Sequence, residues 1–289
     1  MDIRYDEWLP GSALQGIVSA FWQVLGDGSR MPSPAVLPDG HVELVLNFGD
    51  PVGLVGPAYT GMQPDRVVVG TLSHALRLEY HGWVKTFGIR FHPARGAGFL
   101  GRPATVFADK LVPLAQACAP LDDGLRRMFE ANPNLEEQAA RDALDRVLLE
   151  QLPSSLPPDE LVVAMVDRLT ASNSAMLVAQ IAREAGISAR QLQRRFRAAV
   201  GMPPKRFARV VRFARVWQLA SMRPRETWAE LAAEHGYADQ AHLVREFRAF
   251  GADPPTHVFT PEWYDLTELS RVSGPAEGVR SVQDTIGKQ

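Results

Sequence analysis

The sequence predicts an α+β protein made of unlike parts: a β-rich amino-terminal domain, a helical bridge and an all-α carboxy-terminal domain. Three observations predict it. Glycine is crowded early, with 15 of the 23 glycines before residue 106, between short alternating stretches such as "HVELVLNF", "DRVVVG", "LRLEY" and "KTFGIRF". Past Val106 the chain turns to Ala, Leu, Glu and Arg at helical spacing. Finally, one pattern of helix, glycine and helix occurs twice, at Gly186 and again at Gly236.

The early stretches read as strands because turn signals such as Pro38-Asp39-Gly40 bound them and their side chains alternate in character. In "HVELVLNF", Val42, Leu44, Leu46 and Phe48 share one face, and His41, Glu43, Val45 and Asn47 the other. The first face is core; the second meets solvent or a cavity. Residues 1–105 are accordingly assigned to the β-rich domain and 106–152 to the bridge. In the bridge, "LEEQAARDALDRVLLEQL" carries an apolar stripe of Leu135, Ala139, Ala143 or Leu144, Val147 or Leu148, and Leu152. Such a stripe packs inside its own chain or, less commonly, across a homodimer. "PSSLPPD", residues 153–159, reads as a linker with Asp159 at a helix cap or first turn.

Charge divides the chain in the same way. The 289 residues carry a net charge of −2, yet residues 157–260 hold 15 Lys and Arg against 10 Asp and Glu, leaving −7 on the remainder. Between Ala185 and Arg225 stand eleven basic residues and no acidic one. A solvated basic face is the ordinary use of such a run, but its length within an acidic chain favours a polyanionic partner. No apolar run reaches the roughly 18 to 20 residues of a membrane span, and the start "MDIRYDEWLPGSALQG" lacks the order of a signal peptide. A cytoplasmic protein without membrane contact is expected. The single cysteine, Cys118, excludes an intrachain disulfide and a multi-cysteine zinc site, and reads as a small buried residue.

Aligning the two glycines sets "LVAQIAREAGISARQLQRRFRAAVG" over "TWAELAAEHGYADQAHLVREFRAFG". Ile181-Ala182 and Leu231-Ala232 precede the glycines by five and four residues, and Leu192 with Phe196, or Leu243 with Phe247, follow at a four-residue step. The spacing predicts two helix-turn-helix units. The alanines let helices cross closely, the glycines permit a positive φ, and the Leu/Phe pairs turn the residues between them outward. A basic helix, "KRFARVVRFARVWQLA", joins the units; at about 17 residues it spans roughly 25 Å. Once the offsets of the units are added, the two second helices stand about one DNA turn, ~34 Å, apart.

On these residues the sequence resembles the AraC/XylS family of bacterial transcription regulators over about residues 157–260, most specifically in "AREAGISARQLQRRFRAAVGMPPKRFARVVRFARV" and "AAEHGYADQAHLVREFRAFGADPPTHV". Trp228 stands where that family usually has a smaller aliphatic residue, which bears on packing. The resemblance implies duplex DNA as partner, with RNA polymerase a further one. Base reading falls to Arg190, Gln193 and Arg194 in the first unit and Gln240, His242, Val244 and Arg245 in the second. Arg194 and Arg245 suit guanine, Gln240 adenine and Val244 a thymine methyl. Arg197, Lys205, Arg206, Arg209 and Arg212 are assigned to phosphates. For any one of these residues the plain alternative is that it only solvates its helix.

The resemblance makes the amino-terminal domain a sensor for a small-molecule effector, a barrel or sandwich of the cupin-like kind, with Glu43, Asn47, Trp83, Arg90 and His92 offering polar groups to a cavity. "PDGHVELVLNFGD" and "GIRFHPARGAGFLGRP" also look like segments of a subgroup of these regulators whose sensor has no assigned ligand. A cupin-like metal enzyme is the alternative, with His41, His74, His81 and His92 as ligands, but the chain lacks the His-x-His pair that such a site uses. A DNA-alkylation repair regulator would need zinc-ligand cysteines beside a reactive one, and Cys118 is alone. The reading is therefore of a regulator, not an enzyme, with no metal or other cofactor and with a mobile tail over residues 266–289.

Overall fold

The computed structural model describes residues 4–30, 33, 35–57, 59–132, 138–171, 178–222 and 227–251. The tail expected over 266–289, Leu135 of the bridge stripe and the second Pro-Pro motif lie outside the described residues.

Ten strands form two antiparallel sheets. They are β1 (Arg4–Trp8), β2 (Val18–Asp27), β3 (Ala35–Val36), β4 (Glu43–Asn47), β5 (Val52–Val55), β6 (Thr60–Met62), β7 (Arg66–Val69), β8 (Leu76–Tyr80), β9 (Trp83–Phe91) and β10 (Leu111–Pro113). The larger sheet runs β1-β2-β9-β4-β7-β10 and the smaller β3-β8-β5-β6. In β4 the alternation read from the sequence sets Leu44 and Leu46 into a core shared with helices of the bridge, while Val45 packs with Tyr5, Trp22 and Val67 on the face toward the smaller sheet. Both faces of β4 are thus covered. Phe48, expected in the core, lies just past the strand, 42% exposed, with its ring 4.7 Å from that of Phe129.

Two short helices, α1 (Gly96–Phe99) and α2 (Leu114–Ala117), lead to α3 (Ala119–Ala131) and α4 (Gln138–Gln151). Leu121, Leu125, Met128 and Phe129 of α3 join Leu144 and Leu148 of α4 against the large sheet. The apolar stripe therefore packs inside its own chain. Its first turn is shifted from the expectation: Ala140 is buried and Ala139 exposed, because Ala140, with Ala143 and Leu144, is on the face of α4 that packs into the core shared with α3.

The carboxy-terminal part is helical: α5 (Glu160–Ala171), α6 (Val178–Glu184), α7 (Ala189–Val200), α8 (Pro204–Met222), α9 (Trp228–Glu234) and α10 (Gln240–Ala249). Asp159 starts α5, its side chain accepting from the Val162 N–H at 3.3 Å. The glycines between α6 and α7 and between α9 and α10 have φ of +65° and +72° with open space where a Cβ would stand, so backbone conformation rather than crowding selects glycine at 186 and 236. Reciprocal capping boxes start α7 (Ser188 with Gln191) and α9 (Thr227 with Glu230), and Asp239 caps α10 through the His242 N–H at 2.6 Å. Leu192, Phe196, Leu243 and Phe247 are fully buried. Trp228 is accommodated edge-on against Phe247, with ring centroids 5.9 Å apart.

Candidate nucleic-acid interface and effector cavities

The buried Leu/Phe pairs of α7 and α10 decide what these helices show to solvent. On α7, Arg190, Gln193, Arg194 and Arg197 are exposed, and among the described residues no ion pair engages these arginines. On α10, Gln240 and Arg245 are exposed and His242 and Val244 half-buried. The His242 Nδ1 accepts the Ala238 N–H at 3.3 Å and the ring lies edge-on to Tyr237. With Nδ1 accepting, Nε2 carries a proton and is a donor. Arg248, not among the residues assigned from the sequence, is exposed one turn past Arg245, and its i+3 spacing was the available signal.

Arg195, between two outward residues, is not free. Its Nε and Nη2 each lie 2.6 Å from the Asp159 carboxylate, a two-point pair that ties the middle of α7 to the start of α5. The Arg195 guanidinium holds the Asp159 carboxyl below its ordinary range. The joining helix α8 has 19 residues, about 28 Å at 1.5 Å each. Lys205 is exposed there. The other three cations assigned to phosphate make contacts within the protein instead. Arg209 pairs with the buried Glu246 of α10, Nη2 to Oε1 2.7 Å; Arg206 donates to the Ser73 carbonyl at 2.7 Å; Arg212 stacks 4.5 Å over the Tyr237 ring. All three sit on the side of α8 that faces the second unit or the β-rich domain, which helical periodicity alone does not separate from the solvent side.

The five residues grouped as an effector cavity are separated. Glu43 and Arg90 line a cavity of about 70 Å³ between the two sheets, together with Tyr5, Trp22 and Tyr80. There Arg90 Nε binds Glu43 at 2.6 Å, with Glu7 and Asp39 of the same cluster at 3.8 and 3.9 Å. Burial pushes the Glu43 and Glu7 carboxyls up, against the pull of Arg90. The Trp22 Nε1 is buried without a hydrogen-bond partner, and Trp22 crosses Gly88 so closely that a Cβ there would lie 1.8 Å from its ring. Asn47 is buried but closes its own turn, donating to the Asp50 carbonyl at 2.9 Å. Trp83 is 43% exposed at the start of β9. His92 lines a cleft of about 690 Å³ between the β-rich domain and helices α5 and α8, which Arg90 also borders, so Arg90 stands between the two spaces. Its Nε2 is 3.0 Å from Asp167 on α5. Burial lowers the His92 pKa despite that partner, so the ring is neutral at pH 7. His74 and His81 are exposed. Among the described residues no group of three or more His, Cys, Asp or Glu is placed to hold a metal ion, and no helix is long and apolar enough to cross a membrane.

Two short capped units are thus joined by one helix and show outward arginines on α7 and α10. Comparison with known proteins agrees: residues 181–260 match the family described as "Helix-turn-helix domain", and residues 6–113 a "Domain of unknown function (DUF6597)". The carboxy-terminal domain is a helix-turn-helix domain of the AraC type, preceded by a β-rich domain of two antiparallel sheets, and the protein is a DNA-binding transcription regulator. No curated protein matches the chain in sequence. Among solved structures, an apo variant of ToxT from Vibrio cholerae is similar at 12% identity and a TM-score of 0.46, covering 82% of this chain and 95% of that one. An unsaturated-fatty-acid-bound ToxT from the same organism is similar at 12% and 0.45, covering 96% and 97%. The AraC-like transcriptional activator CuxR is similar at 14% and 0.25, covering 74% and 86%.

Proposed function

We propose that the protein reads two successive major grooves from one face, with α7 and α10 as the reading helices, and that a small molecule held by its amino-terminal domain modulates this binding. The observation that carries the DNA reading is the pair of outward faces whose arginines have no ion-pair partner among the described residues, on helices locked by buried Leu/Phe anchors. In this proposal Arg194 and Arg245 fork onto guanines, Arg190, Gln193, Gln240 and Val244 read neighbouring edges, and His242 donates from Nε2 to a purine acceptor. Arg197, Lys205 and Arg248 meet phosphates. Arg206, Arg209 and Arg212 instead hold α8, α10 and the β-rich domain in register, which keeps the two readers at a fixed separation.

A binding-site selection with the full chain and with Arg194→Ala and Arg245→Ala tests this. Each variant is expected to lose about 1 to 3 kcal/mol on the preferred site and to relax choice at one base position, the two positions lying roughly 10 base pairs apart. Wild-type base preferences at uniformly lower affinity would make both helices phosphate clamps and overturn the base-reading assignment.

A further inference from the structure

A ligand-modulated regulator needs a cavity that can hold an effector; the space between the sheets and the cleft lined by His92 differ about tenfold in size, and a third cavity, of about 430 Å³ beside Arg95 and Leu156, is bordered by none of the polar residues assigned to the sensor. The space between the sheets, about 70 Å³, falls well below the roughly 300 to 1,000 Å³ of small-molecule sites. Tyr5, Trp22 and Tyr80 fill that interior. The cleft of about 690 Å³ is within the range, and both domains build it: the Pro38–His41 turn and the end of β9 on one side, α5 and α8 on the other. The turn is held against α8 by Gly40, whose φ of +86° and whose approach to Phe207 both exclude a side chain; a Cβ would stand 2.6 Å from that ring.

The cleft offers several acceptors. The His41 Nδ1 is 2.8 Å from the Phe91 carbonyl, so it must donate, and in that tautomer Nε2 is left as an acceptor. Asp39 accepts the His41 N–H on Oδ1, its Oδ2 lies 3.9 Å from the Arg90 Nε, and its side chain is 28% exposed. Asp167 accepts from His92 on one oxygen and is 62% exposed. Of the two arginines in the lining, Arg90 is enclosed by Glu43, Asp39 and Glu7 and brings no net positive charge, and Arg215 stands exposed. Ser19, Thr170 and Gln218 add neutral polar groups, and the rest of the wall is apolar, with Leu37, Phe207, Val211 and Trp217 foremost.

From the cleft's size, walls and acceptors we infer that it binds a small amphipathic cation: an apolar body against Phe207 and Val211, with a protonated amine donating to Asp39, Asp167 and His41. The inference rests on the regulator reading above and deepens it, placing the effector across the junction between the β-rich domain and α5, the helix that leads into the first DNA-reading unit. An amine spanning Asp39 and Asp167 would link the two domains through one ligand, so its binding and DNA binding are expected to alter each other by the same factor.

The test uses the full chain and three probes that share a phenylethyl body: phenethylamine, phenylethanol and phenylpropanoate, titrated by calorimetry. Phenethylamine is expected to bind saturably, at least about tenfold tighter than the other two, as a charge-assisted hydrogen bond predicts. Asp39→Asn with Asp167→Asn should erase that preference. Ala214→Trp, which fills the cleft from α8, should abolish binding, and Thr170→Trp repeats the block from α5 should the first variant fail to fold. Absent saturable amine binding, preference for the carboxylate, or amine binding that survives both tryptophans would overturn the inference. DNA affinity is measured on each sample without amine. A wild-type chain that binds DNA but not the amine refutes the ligand alone, whereas one that binds the amine but no DNA refutes the regulator reading and leaves the cleft assignment standing.

Discussion

The two helix-turn-helix units share one local code and differ in what braces them. Each has a buried apolar-Ala step, a glycine at positive φ and a buried Leu/Phe pair. The first unit leans on the rest of the chain: Arg195 is pinned by Asp159, and Gly201, at the end of α7, sits against Thr71 and the Ala104 carbonyl of the β-rich domain. The second leans on aromatic rings and on α8: Phe247 packs on Phe213, Trp217 and Trp228, and the buried Glu246 is paired by Arg209. Its direct tie to the β-rich domain runs from the Ala75 N–H to the Phe250 carbonyl, 2.7 Å. The difference teaches that a repeated motif fixes the geometry within a unit, while its neighbours fix how firmly and at what angle the unit is held. The cations are unequal too, since α7 shows three exposed arginines and no acidic residue, while α10 shows two.

The charge that both units carry gives the largest expected effect. With roughly 6 to 10 phosphates neutralised, affinity for duplex DNA should fall about 10³ to 10⁵-fold between about 50 and 200 mM salt. Arg197→Gln in the first unit and Arg248→Gln in the second each remove one phosphate partner and should each flatten the salt slope by about 1. A slope that either variant leaves unchanged, measured by fluorescence anisotropy, would break the phosphate assignment in that unit.

Core truncation comes next. Phe196→Ala and Phe247→Ala should each cost about 3 to 5 kcal/mol, with Phe247 at the upper end because it meets three rings where Phe196 meets Phe207. Denaturant melts measure this, and a larger loss at Phe196 would count against aromatic bracing of the second unit. The two arginine clasps should differ more modestly. Arg209→Ala leaves the Glu246 carboxylate, 6% exposed, without its partner and should cost about 2 kcal/mol, while Arg195→Ala, at a half-exposed pair, should cost about 1 kcal/mol or less. The Asp159 carboxyl is depressed in the folded chain by Arg195. Its contribution is therefore full above the unfolded carboxylate pKa of about 3.9 and is lost as pH falls through the lower folded value. Arg195→Ala should remove that acid-limb loss, read from melts across acidic pH; an unchanged limb would mean that other carboxylates dominate it.

The most even effect should come from the helix caps. Ser188→Ala and Thr227→Ala each remove one capping box and should each cost about 1 kcal/mol, seen as faster amide exchange in the first turns of α7 and α9. Unequal losses would mean that tertiary contacts reach into the local code.

By itself the sequence determined the elements whose cause is local. Gly186 and Gly236 are legible because only a positive φ joins the helices there, Leu192/Phe196 and Leu243/Phe247 because a four-residue step marks one helix face, and Val42, Leu44 and Leu46 because strands alternate. The outward polar faces of α7 and α10 followed from those anchors. Tertiary structure alone decided which cations stay open to a partner: Arg206, Arg209 and Arg212 resemble Lys205 in the sequence, but their partners Ser73, Glu246 and Tyr237 come from elsewhere in the chain, and periodicity carries no information about them. Tertiary structure also parted the polar residues of the sensor domain. Glu43 faces the space between the sheets, His92 faces a cleft closed by Asp167, 75 residues further along, and Arg90 borders both, because a cavity is made by surfaces that the chain brings together only once it has folded.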